Sequence, residues 1–271
     1  MRKLVEILPK PAQAAVRALA RLRIGARGFA FSHPWETTAA DAVPPPPADL
    51  DNPLFAYFRA HEEGRGIWKW EHYFRIYHRH FEKFIGRECR LLEIGIFSGG
   101  SLEMWRSYLG PKSEIVGVDI DVACEAYASD HVRIHIGDQG DRLFWRRLKE
   151  KEPAFDIIVD DGSHLFRDQA ATFEEMLSHL RPGGVFLCED VHGIFNKMPD
   201  YMIGLTANLN AWAPEPPPAE TPTRFASPAS EFQRNVFSVH FYAFVVVVER
   251  TDAQNGDFFC SRKGTSWQPS Q

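Results

Sequence analysis

Five short apolar runs, Leu91–Ile96, Ile115–Asp119, Val132–Ile136, Phe155–Val159 and Val185–Cys188, recur between stretches of helical patterning from Arg90 onward. A strand that is apolar on both sides of its pleat must be covered on both faces, and the interleaved helices supply both covers. The pattern predicts an α/β fold with a doubly wound, mostly parallel sheet. Arg-Pro-Gly-Gly at 181–184 is expected to end a helix near Leu180 before the fifth strand. Val236–Glu249, after a Pro-rich loop from Pro214 to Pro228, adds one or two further strands, giving seven in all.

Upstream, Trp70, Tyr73, Phe74, Tyr77, Phe81 and Phe84 follow one another at helical spacing, which puts them on one face of an amphipathic helix, read as core. A subset of the stripe, with Lys69 or His72, could instead line a ligand pocket, although no spacing requires that. Pro34–Pro53, with four consecutive prolines at 44–47, reads as a linker. Residues 1–53 are therefore expected to form an N-terminal helical extension plus linker, and 54–271 the main domain. Met1–Arg27 carries Arg2, Lys3, Lys10, Arg17, Arg21, Arg23 and Arg27 against the single acid Glu6. Contact of residues 1–27 with an anionic membrane surface is one reading. The plainer one is a solvated helix packed on the domain or on a partner subunit, and a homo-oligomer is expected.

The chain has 271 residues, 44% of them hydrophobic, enough for one main core. A net charge of −5 gives no electrostatic reason to expect nucleic acid as a partner. Cys89, Cys124, Cys188 and Cys260 are scattered, without metal-site or disulfide spacing, and read as reduced, buried thiols. The longest apolar run, Phe241–Val248, falls far short of the roughly 20 residues of a membrane span and reads as a buried strand. The first residues lack the pattern of a secretory signal, so a cytoplasmic location is expected.

Chemistry concentrates where the strands end. In doubly wound sheets ligands bind at the carboxyl ends of the strands. The turn after the first strand is Glu93-Ile94-Gly95-Ile96-Phe97-Ser98-Gly99-Gly100-Ser101, and its small residues let backbone approach a ligand. Asp119 ends the second strand, placed to accept hydrogen bonds from ribose hydroxyls, and Asp138-Gln139 follows the third, where it could read an adenine edge. The spacing is not that of the dinucleotide fingerprint. The fourth strand ends in Asp160-Asp161-Gly162-Ser163-His164 and the fifth in Glu189-Asp190, with His192 close behind. Carboxylates converging at one rim repel unless they share protons or a cation, and hard oxygen ligands favour Mg²⁺.

These residues, ExGxxxGGS with GVDID at 117–121 and GDQ at 137–139, resemble class I S-adenosylmethionine-dependent methyltransferases over roughly Trp68–Arg250. The resemblance implies a Rossmann-like fold. It also implies a cofactor site in which Glu93, Gly95, Ser98, Gly99 and Ser101 surround the methionine part, Asp119 holds the ribose, and Asp138 or Gln139 lies near the adenine. More narrowly, DDGSH with a downstream ED resembles the metal-dependent branch that methylates sugar hydroxyls of macrolides and includes the cephalosporin hydroxylase-like proteins. That resemblance implies Mg²⁺ on Asp161, Glu189 and Asp190, His164 as general base, and Asp160 on the cofactor side. The acceptor would be a hydroxyl of a sugar or glycosylated natural product. An iron-dependent oxidoreductase would need two histidines and a carboxylate, a set the sequence does not display; His192 and His240 read as structural. A non-catalytic cofactor-binding protein is the third reading.

Overall fold

The computed structural model describes residues 25–28, 30–31, 52–193, 196–211, 224–252, 256–261 and 263–264. The chain divides into two units, 1–48 and 49–271. In the first, the described residues are helical and exposed. The rest of the basic arm, the proline run and most of the Pro214–Pro228 loop lie outside the described residues.

The second unit opens with α1 (Pro53–Ala60), whose first turn is capped by the Asn52 side chain, with Pro53 at the position where a missing N–H costs nothing. Next comes α2 (Tyr73–Phe81). The alternation then runs β1 (Arg90–Ile94), α3 (Gly100–Leu109), β2 (Glu114–Asp119), β3 (Val132–Ile136), α4 (Arg142–Lys151), β4 (Phe155–Asp160), α5 (Phe166–Met176) and β5 (Leu180–Cys188). After α6 (Met198–Leu209) come β6 (Arg224–Ser227), α7 (Glu231–Asn235), β7 (Val236–Tyr242), β8 (Val245–Arg250) and β9 (Phe258–Ser261).

Seven strands form one sheet in the order β3-β2-β1-β4-β5-β8-β7, parallel from β3 through β5, with β8 and β7 antiparallel. This is the expected Rossmann-like architecture. Chain order reverses between β1 and β4, so the crevice at their carboxyl ends is the switch point where such sheets take ligands. Alternation along each strand sorts side chains between two covers. Leu92, Ile94, Ile158 and Phe186 join a core with Phe144, Trp145, Phe173 and Met176 from α4 and α5. On α2, Tyr77 packs edge-on against Trp105 of α3, beside Phe81.

Three local readings change. β5 begins at Leu180, not Val185: Arg181–Gly184 does not precede the strand but lies inside it, at a register shift against β4 between Phe155 and Ile157. The apolar run Phe241–Val248 is a hairpin, because a turn at Ala243-Phe244 folds β8 back on β7. Cys260, read as buried, is exposed, since β9 pairs only with β6 in a separate two-stranded sheet, an element the sequence did not announce.

Candidate active site

The loops after β1 and β4 meet at the switch point. Asp161 N–H donates to the Ile94 carbonyl at 2.9 Å, and Gly95 has φ +81°. A Cβ on Gly95 would stand 2.1 Å from the Asp161 carbonyl oxygen, so this position tolerates no side chain. Gly99 is equally constrained: it caps α3 with φ +76°, and a Cβ would meet the Tyr127 ring at 2.7 Å.

A cavity of about 430 Å³ opens here, lined by Gly95, Val118, Asp119, Asp138, Gln139, Asp161 and His164, with Trp68, Phe97 and Ile120 around it. That volume is in the range of small-molecule sites. Asp119 is fixed by the turn it faces: Oδ2 accepts from the N–H groups of Ile96 and Phe97 at 3.0 and 3.1 Å, and Oδ1 from that of Asp121 at 2.9 Å. A carboxylate has about four lone-pair sites, so capacity for a ligand hydroxyl remains. Asp138 accepts from Gly140 N–H at 2.7 Å. Gln139 bridges two loops, donating to Asp160 Oδ1 at 2.6 Å and accepting from Ser163 N–H at 2.9 Å. Ser98, Gly99 and Ser101 stand in the turn and the start of α3, outside this lining, and Glu93 is fully buried behind it.

Strand alternation separates the adjacent aspartates. Asp160 follows the parity of Ile158 and turns toward Gln139, buried, with Oδ2 lacking a hydrogen-bond partner among the described residues; burial pushes its carboxyl up to about 7. Asp161 turns the other way, onto Lys69. The Lys69 Nζ lies 2.5 Å from Asp161 Oδ2, 3.0 and 3.1 Å from the two Glu189 oxygens, and 3.6 Å from Glu93 Oε1. Burial works against its charge, yet Glu189, Asp161 and Glu93 hold it well above the usual lysine range. Glu189 in turn is raised by burial and by Asp161, against the opposing pull of Lys69 and Tyr77. Three carboxyl groups thus face one ammonium.

The helix read as core completes the cluster. Tyr77 donates to Glu189 Oε1 at 2.7 Å and Tyr73 to Asp190 Oδ1 at 2.7 Å; burial and these carboxylates raise both phenols, so they stay protonated donors. Trp70, expected on that buried stripe, instead precedes α2, is 51% exposed, and donates its indole N–H to Asp190 Oδ1 at 3.1 Å. Phe84, at the other end of the stripe, falls in a 3₁₀ turn and is half-buried.

At the open end, His164 Nε2 is 4.0 Å from Asp161 Oδ1 and 3.7 Å from Asp190 Oδ2. One donor atom from each of the three lies within 4.8 Å of the others. His164 and Asp190 both have left-handed backbone, φ +57° and +52°, a conformation that few non-glycine residues hold without support. Asn196 supplies it: its Nδ2 donates to the backbone carbonyls of His164 and Asp190 at 3.2 and 3.4 Å and to Gln169 Oε1 at 3.0 Å. The two oxygens of Glu189 are engaged by Lys69 and Tyr77, so the clustered donor set left is Asp161, His164 and Asp190, of which the first two line the cavity.

A two-histidine, one-carboxylate set exists after all. His80, His240 and Glu249 converge from α2, β7 and β8, a grouping that sequence spacing could not reveal. His80 lies between Glu249 and the Tyr242 hydroxyl, 2.9 Å from each, and none of the three lines the cavity.

Residues 92–191 match a family described as a methyltransferase domain. This stretch of the chain is a methyltransferase domain. A tetracenomycin rhamnosyl 3'-O-methyltransferase of Streptomyces olivaceus is 32% identical over 73% of the chain and 54% of that relative. Mycinamicin VI 2''-O-methyltransferase of Micromonospora griseorubida is 37% identical over 42% of the chain and 30% of its own length. The chain thus spans about half, or less, of the length of these curated relatives. Among solved structures, the MycE methyltransferase of the mycinamycin biosynthetic pathway, crystallised with Mg and SAH, superposes with a TM-score of 0.58 at 26% identity. That match covers 74% of this chain and 54% of the other. All the residues lining the switch-point cavity except Trp68 fall within the matched stretch, and no described helix is long and apolar enough to cross a membrane.

Proposed function

We propose that the chain transfers the methyl group of S-adenosylmethionine to a sugar hydroxyl of a glycosylated small molecule, with Mg²⁺ assistance and His164 as base. The observation that carries this reading is that Asp161 and His164 line the same cavity as Asp119 and Asp138, with Asp190 within 4.8 Å of both. The named activities of the relatives, sugar O-methylation on natural products, support the acceptor class.

The donor chemistry fits a hard cation. Three carboxyl groups share the single ammonium of Lys69, and Asp161 Oδ1 and Asp190 Oδ2 both lie within 4.0 Å of His164 Nε2. Asp161 and Asp190 would hold Mg²⁺, with Glu189 behind them unless Lys69 releases it. Bound there, the ion would lower the pKa of an acceptor hydroxyl and stabilise its developing charge. Because Mg²⁺ prefers oxygen ligands, His164 keeps its imidazole for the acceptor proton. The Asn196 brace fixes His164 and Asp190 relative to each other, and such positioning contributes strongly to in-line group transfer. Asp119, caged by the turn, orients the methyl donor.

Calorimetry with S-adenosylmethionine and turnover on a panel of glycosides, with Mg²⁺ or EDTA, test the reading. His164→Ala is expected to lower turnover on the order of 10²–10⁴-fold with cofactor affinity nearly unchanged. Absence of cofactor binding would overturn the whole reading. EDTA-indifferent turnover that survives His164→Ala would overturn the metal-and-base mechanism alone.

A further inference from the structure

A second cavity, of about 310 Å³, lies between α2 and the β7–β8 hairpin, lined by His72, Arg75, Ile76, Arg79, Tyr242 and Ala243. Arg75 and Arg79 are one helical turn apart, which places them side by side on one flank of α2. Both are exposed, and neither has a carboxylate partner among the described residues. Of the acids near them, Glu82 faces His78 and Glu249 is held by His80, Lys83 and Ser238, while Glu71, four residues before Arg75, is exposed and forms no ion pair with it. Most other arginines of the described fold face an acid, as Arg65, Arg90, Arg133, Arg142 and Arg181 do. Two unpaired guanidiniums over one cavity are thus a local exception in a chain of net charge −5.

The walls are fixed. Tyr242 is held through its hydroxyl by His80 Nε2 at 2.9 Å, and His72 Nε2 donates to the Ala243 carbonyl at 3.1 Å. Ile76 closes the floor. A guanidinium is a planar fork of donors that matches the oxygens of a phosphate two at a time. A single carboxylate occupies one fork; two neighbouring forks suit a group with two linked anionic centres.

We infer that this cavity binds a diphosphate group, held by Arg75 and Arg79. The site is distinct from the methyl-transfer cavity, and the inference stands whether or not the proposed reaction does. Ala243 lines it and the next residue, Phe244, packs on Trp70 and His192 at the reaction rim, so the hairpin turn forms a shared wall. The diphosphate could therefore belong to an acceptor that reaches round the turn or be a free ligand.

Titration of inorganic pyrophosphate into the full chain at low salt, followed by calorimetry, tests this directly. Saturable binding is expected, at least tenfold weaker in Arg75→Gln/Arg79→Gln and unchanged in Arg87→Gln, another exposed arginine without an acid partner. No binding to the unaltered chain, or equal weakening in all variants, overturns the proposal. Displacement of pyrophosphate by a nucleoside diphosphate sugar but not by a neutral glycoside assigns the site to an acceptor's diphosphate. Displacement by neither assigns it to a free diphosphate.

Discussion

The two ends of the central sheet both bury carboxylates beside cations, and they resolve the problem in opposite ways. At the amino ends of β1–β3, Glu114 and Glu152 meet Arg90 and Arg133, two acids against two guanidiniums, with His135 adding a contact to Glu152 at 2.8 Å. Burial works against the Glu152 charge, but hydrogen bonds from Arg133, His135 and Arg90 carry its carboxyl down to about 2. At the carboxyl ends, Glu93, Asp161 and Glu189 meet Lys69 alone, and burial raises Glu93 and Glu189. One end is a matched clasp with a lowered carboxyl; the other sets three carboxyls against one ammonium and raises two of them, and perturbed groups of that kind cluster at functional sites.

Breaking the contrast starts with Lys69. Lys69→Met is expected to destabilise the fold by about 3–5 kcal/mol at neutral pH, because it strands buried carboxylates. Urea midpoints should show a smaller loss at pH 5.5 than at pH 8: carboxyls raised further without the ammonium take up protons as the pH falls. An equal loss at both values would mean that Lys69 acts through packing.

The opposite end titrates with the opposite sign. The folded-state pKa of Glu152 is depressed, so its contribution is complete above its unfolded value near 4.3 and disappears as the pH falls toward 2, about 3 kcal/mol over that window. Acid denaturation monitored by circular dichroism should show this loss in the native chain and not in Glu152→Gln.

Arg133 sharpens the comparison from below. Its side chain is 48% exposed, against 9% for Arg90, so solvent screens its pairs with Glu114 and Glu152. Arg133→Met should cost about 0.2–1 kcal/mol in thermal denaturation, and a larger loss would show the clasp to be a cooperative network.

What the sequence revealed follows from where the chemistry sits. Asp119 ends its strand and Asp138, Asp161 and Glu189 come within two residues of the end of theirs, so the strand pattern alone placed them at one rim. Trp70, Tyr73 and Tyr77 were read first as the core stripe of an amphipathic helix and Lys69 only as one possible pocket residue beside it, because their partners Asp161, Glu189 and Asp190 lie 92 to 120 positions away. An aromatic at helical spacing looks the same whether its hydroxyl meets water or a buried carboxylate. Asn196 was invisible for a related reason: it acts on the backbone of His164 and Asp190, and backbone acceptors carry no residue signature. The bridging role of Gln139 also needed coordinates, since an amide beside an acid is compatible with reading a base or with tying two loops.

The Asp160-Asp161 pair looks redundant in one-letter code, yet Asp160, the last residue of β4, turns toward Gln139 and Asp161, the first beyond it, toward Lys69. A deletion of one residue in that strand would draw Asp161 into the place Asp160 holds and leave the position beside Lys69 to Gly162, with both acids still in the chain. The length of β4 is therefore a reading frame for the chemistry at its end, and an alignment that preserves the two letters but shifts the strand by one would describe a different enzyme.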